Sequence, residues 1–140
     1  MRLHLSALFA LLLYSGVAHS LTCDKTPVLH TEKNNLKYGL FITPQQIQQA
    51  PKWSPESAEP PVSISQAFNI AKTRGKKFFT RYDAVNIKSI SINQYVCDSV
   101  NGYWYYQIYL IPVIDGNEVA GAGNWIAVLM DGTVIGSRKY

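Results

Sequence analysis

Between Gly102 and Val113 apolar and aromatic residues run almost without interruption. Trp104, Tyr106, Ile108 and Leu110 share one side of an extended chain, and Tyr103, Tyr105, Gln107, Tyr109 and Ile111 share the other. Aromatic and β-branched residues at this density after an Asn-Gly turn predict one long strand from Asn101 to Val113. One face is greasy and one rich in tyrosine, which suits a central strand of an antiparallel sheet with a helix over the greasy side.

Upstream the period is helical. Ser63-Ile64-Ser65-Gln66 forms a capping-box pattern, and Ile64, Ala67, Phe68 and Ala71 follow at i, i+3, i+4 and i+7. Ala67 and Ala71 are small enough to let the helix lie close on a sheet. Gly75 is its first natural stop, with one further turn available toward Phe78 and Phe79. After Tyr82-Asp83 the period becomes two. Val85 and Ile87 keep one phase and Ile90 and Ile92 the other, so a one-residue slip near Lys88-Ser89 predicts a bulge. Asp98 to Gly102 turns the chain into the long strand, and Asp115-Gly116-Asn117-Glu118 turns it out again. Asn124 to Met130 is a third strand, and Asp131-Gly132 is a hairpin signal before Thr133-Val134-Ile135.

The expected fold is therefore α+β: one helix packed on a four-stranded antiparallel meander, occupying 62–140. Residues 21–61 read as an extended arm. Val28 to Thr31 and Leu36 to Ile42 are short strand candidates, Thr43-Pro44 starts a helical turn, and Pro51, Pro55, Pro60 and Pro61 follow. Trp53 is expected to plug against the core rather than to bind a ligand.

Residues 1–20 read as a signal peptide: Arg2, an apolar run from Leu5 to Val17, then Ala18-His19-Ser20, with cleavage expected before Leu21. The run is short for a membrane span. Ser20-Leu21-Thr22 lacks the small residue that lipidation of Cys23 would require. A periplasmic or secreted location follows, and no transmembrane segment is expected after the leader. In that setting Cys23 and Cys97, the only cysteines, predict a structural disulfide. It would tether the arm beside the long strand and contribute roughly 4 kcal/mol in the chain-entropy account.

Composition narrows the function classes. Lys and Arg number 13 against 9 Asp and Glu, a net +4 that loses one unit with Arg2, too mild to indicate nucleic-acid binding. Of three histidines only His30 lies beyond the leader, so the histidine-based zinc and Ser-His-Asp patterns lack their residues. Gly121-Ala122-Gly123 lacks the lysine of a phosphate loop. No catalytic residue, metal site or cofactor is expected, and Asp98, Asp115 and Asp131 fall where turns want them. Two binding features remain. One is the aromatic face of Tyr103, Tyr105, Tyr109 and Trp125, with the arm as its alternative cover. The other is the basic cluster Lys72, Arg74, Lys76, Lys77 and Arg81, which equally suits a solvated, dipole-matched helix end.

The helix opening Val62 to Ala71, the strand Gly102 to Ile108 and the hairpin Val128 to Ile135 together resemble a PepSY-type domain, over roughly the last 75 residues. The proline-rich arm and the cysteine pair lie outside that family pattern. The resemblance implies a helix lying on an antiparallel sheet and a binding or inhibitory role toward another exported protein such as a peptidase. It transfers no catalytic residue. The expected function is an exported, non-enzymatic protein-binding module, acting as an inhibitor or chaperone-like partner through the sheet face or an edge strand. The alternatives are a small secreted hydrolase with convergent carboxylates, or an envelope-binding protein using the basic cluster. Oligomeric state is open at this level.

Overall fold

The computed structural model describes residues 23–98 and 100–140. The expected signal peptide and its cleavage point lie outside the described residues. A short 3-10 turn, Cys23–Lys25, leads into β1 (Leu29–Lys33), β2 (Leu36–Leu40) and the short helix α1 (Pro44–Gln49). The main helix α2 (Ile64–Phe78) follows, then β3 (Ala84–Gln94), β4 (Trp104–Ile114), β5 (Asn117–Glu118), β6 (Trp125–Leu129), β7 (Val134–Gly136) and β8 (Arg138–Lys139).

The α+β class and the helix over an antiparallel sheet are present, but the sheet is larger than a four-stranded meander. The main sheet has five strands in the order β3-β4-β6-β7, with β5 also paired to β4, and a second sheet has the order β1-β2-β8. The extra strands have local causes. Asp115 (φ 49) and Gly116 (φ 75) form a tight turn that folds Asn117 and Glu118 back onto Ile114 and Val113. Asn34 (φ 53) and Asn35 (φ 61) make the equivalent turn between β1 and β2, a conformation asparagine tolerates better than most residues. Ser137 then links the two sheets. Its N–H donates to the Trp125 carbonyl at 3.0 Å and its hydroxyl to the Gly123 carbonyl, so the next residues leave the main sheet and pair with β2. Phe41 fixes the end of the chain, with the Arg138 guanidinium 4.5 Å from its ring centroid and the Tyr140 ring edge-on at 5.3 Å.

Helix α2 starts on the expected capping box. The Ser63 hydroxyl accepts the Gln66 N–H at 3.2 Å, and the Gln66 side chain accepts the Ser63 N–H at 2.8 Å. Its sheet-facing line is Ala67, Ala71 and Gly75, at intervals of four. Gly75 is therefore not a stop: a Cβ there would lie 2.7 Å from Leu110 Cδ1, and the close approach needs a residue without one. The helix goes on to Phe78, whose ring rests over Gly136 of β7. With the small residues against the sheet, Ile64 and Phe68 turn to the rim and are 57% and 42% exposed.

Strand β3 shifts register between Ile87 and Ser89, the bulge expected from the change of phase. The shift keeps Val85, Ile87, Ile90 and Ile92 on the helix side, opposite Pro112, Leu110, Ile108 and Tyr106. The buried cluster is closed from the other side by the arm, through Leu40, Ile42 and Ile47. Cys23 and Cys97 are bonded, across a separation of 74 residues and with Cα atoms 6.2 Å apart.

Candidate functional site

The long strand β4 holds the expected aromatic residues, but the fold treats them differently. Tyr105 is 3% exposed and belongs to the buried cluster with Leu40, Ile42 and Tyr95. Desolvation, with Tyr95 as a neighbour, pushes its phenol up to about 12. Tyr95 donates from its hydroxyl to the Ile42 carbonyl at 3.1 Å, and burial followed by the charge of Asp24 raises its pKa. Tyr103 is half-buried, with the Lys52 ammonium 5.4 Å from its ring centroid. Trp53, partly buried against the core, stands edge-on to Trp104 at 5.8 Å and donates its indole N–H to the Ala58 carbonyl. The arm thus covers the Tyr105 end of the face.

Tyr109 and Trp125 remain partly open. Their rings lie 4.7 Å apart in a tilted arrangement, and with Thr31, Glu32, Lys33 and the Ala120–Ala122 loop they line a groove of about 350 Å³. Tyr109 spends its hydroxyl within this groove, on the Gly121 carbonyl. The structure therefore separates the expected aromatic face into a covered tyrosine and a shallow Tyr109–Trp125 groove.

The basic residues Lys72, Arg74, Lys76, Lys77 and Arg81 are all exposed around the end of α2. Lys76 and Lys77 lie in its last turn, where the helix dipole favours cations, and none of the cluster forms an ion pair among the described residues. The described carboxylates are spread out. Asp83 accepts the Asp115 N–H, Asp131 accepts from the Thr133 N–H and hydroxyl, and Glu118 meets Asn86 and Lys88. Among the described residues no group of His, Cys, Asp and Glu is placed to hold a metal ion. His30 bonds through Nδ1 with the Tyr140 hydroxyl.

The feature that sequence reasoning did not single out is the free edge of β3. This strand pairs with β4 and, among the described residues, with nothing on its other side. The Tyr95 N–H donates to the Tyr103 carbonyl at 2.9 Å, and pairing continues in regular register down to Ser89–Tyr109. In an antiparallel ladder, alternate residues direct both backbone groups to the neighbouring strand. Counting from Tyr95, the residues that face β4 are Asn93, Ser91 and Ser89. Ile90, Ile92 and Gln94 point their N–H and C=O groups outward.

Free edges in natural sheets are usually blunted by charge, proline or a bulge. Below the bulge β3 carries Lys88, whose ammonium leans inward across the sheet to Glu118 at 3.9 Å, and the free edge of β1 carries Glu32 and Lys33. From Ser89 to Gln94 there is neither charge nor proline. Beside that stretch Ile64, Phe68 and Ile90 line an open groove of about 420 Å³, continued by Ile92 at 37% exposure. A row of unpaired backbone groups thus lies along an apolar shelf. The alternating Ser-Ile-Ser-Ile pattern was visible in the sequence, but its place at the edge depends on strand order.

No helix among the described residues is long and apolar enough to cross a membrane. No protein-family model, curated protein or solved structure matches this chain.

Proposed function

We propose that this protein is an exported, non-enzymatic binding module that recognises another protein by strand addition at β3. The observation that carries the reading is the uncharged open edge from Ser89 to Gln94, flanked by Ile64, Phe68 and Ile92. Backbone groups of Ile90, Ile92 and Gln94 supply hydrogen bonds to an extended segment. The apolar shelf selects segments with apolar side chains at alternate positions. The PepSY-like resemblance gives the partner a concrete form: an exported protein such as a peptidase, inhibited or held by the added strand.

The test is affinity capture from the native exported fraction, using the oxidised protein beside Ile92→Pro and Tyr109→Ala variants of confirmed dichroism. Ile92 directs its N–H outward, so proline removes the donor offered to a partner and spares the bond to β4. The expected result is a partner captured by the parent and by Tyr109→Ala, and lost with Ile92→Pro. Capture that survives Ile92→Pro and fails with Tyr109→Ala would overturn the reading and move the interface to the Tyr109–Trp125 groove.

A further inference from the structure

The β3 edge has a property that narrows its occupant: it is complementary to itself. This step rests on the strand-addition reading and names a partner for the same surface. We infer that β3 pairs with β3 of a second copy of the chain, joining the two main sheets across a two-fold axis.

The register follows from the outward-facing residues. An isologous antiparallel pair must bring outward-facing residues opposite one another. With the axis at Ser91, Ile90 faces Ile92 of the second copy and Ile92 faces its Ile90, while Ser91 faces its own counterpart and Ser89 faces Asn93. The isoleucines are all on the helix side, as their pairing with Ile108 and Tyr106 fixes. They merge into one apolar stripe between the two α2 helices, and Ile64 and Phe68 of both copies extend it.

Charge supports a copy as occupant. Across a two-fold axis only residues at or beside the axis lie next to their own counterparts, so a lysine or glutamate at or next to Ser91 would meet a like charge, and one further along would be stripped of water against the facing strand. Ser89 to Cys97 contains none. The charged residue that comes first on the other side is Lys88, which sits in the bulge and leans to Glu118. The exposed apolar side chains and the unpaired backbone groups are thereby satisfied together. In this form the dimer is the resting state, and a partner's strand displaces the second copy.

The test is sedimentation of the native, disulfide-bonded protein over a dilution series, beside Ser91→Lys and Ser91→Cys. Ser91 is exposed, so neither change disturbs the monomer's core. The expected result is a mass that rises with concentration toward twice that of the chain. Ser91→Lys should remain at the monomer mass throughout, and Ser91→Cys should cross-link under mild oxidation. Asn86→Cys lies out of register with its copy and should not cross-link. A parent that stays monomeric at every concentration overturns the dimer. So does a dimer that ignores Ser91→Lys and gives no cross-link at position 91. A monomer that still captures its partner through β3 defeats this inference alone. A β3 dimer that never yields to another protein defeats the strand-addition reading alone.

Discussion

Tyr105 lies beneath the arm with Tyr95 beside it, and the two phenols respond to that burial in the same direction. A phenol whose pKa is raised in the folded state favours folding while it stays protonated, and the unfolded chain releases its proton first as pH rises. The Tyr105 contribution is therefore complete below pH 10 and is lost as pH climbs through its folded value of about 12. One pKa unit corresponds to about 1.4 kcal/mol, so up to about 3 kcal/mol of stability should disappear in that window. Denaturant titrations at stepped alkaline pH measure it. Tyr105→Phe should flatten the decline, and an unchanged slope in that variant would assign the loss to other groups. Tyr106 contributes in the same direction, since burial and Glu59 raise its pKa while its hydroxyl donates to the Val62 carbonyl at 2.7 Å.

At the scale of elements, local chemistry in the sequence was highly legible. The Ser63–Gln66 box, the bulge beside Lys88 and the Asp131-Gly132 turn each depend on neighbours within a few residues, and each stands where the pattern put it. Gly75 was legible as a glycine but not in its role. A helix stop and a close helix–sheet contact both favour glycine, and only the position of Leu110 separates them. Gly75→Ala gains up to about 1 kcal/mol of helix propensity but drives a methyl into the fully buried Leu110, a crowding that costs typically 1–3 kcal/mol. The expected net result is a loss of roughly 1 kcal/mol, seen as a lower denaturation midpoint with unchanged slope. A higher midpoint would show that Leu110 yields freely. Strand order was the least legible level. The pairing of β8 with β2 joins residues about a hundred positions apart, and no local pattern encodes such a pairing. The same limit hid the site: Ser-Ile-Ser-Ile reads identically in a central strand and at an open edge.

For the molecule as a whole, the two sheets leave very different borders. The arm and the disulfide cover the aromatic side from Tyr95 to Tyr105, and the β1 border carries Glu32 and Lys33. Strand β3 from Ser89 to Gln94 is left long, uncharged and edged with isoleucine and phenylalanine. A border of that kind is a ready template for strand pairing. The measurement that tests this most directly is residue-resolved amide hydrogen exchange of the native protein, at low and high concentration and with a captured partner. Strand addition predicts that the outward amides of Ile90, Ile92 and Gln94 exchange fast when the chain is dilute and alone. It predicts that Ile90 and Ile92 slow by orders of magnitude when a second copy or a partner strand is present, while Ser91 and Asn93, already bonded to β4, change little. Outward amides that remain fast under all these conditions, with new protection around Tyr109 and Trp125 instead, would contradict the account.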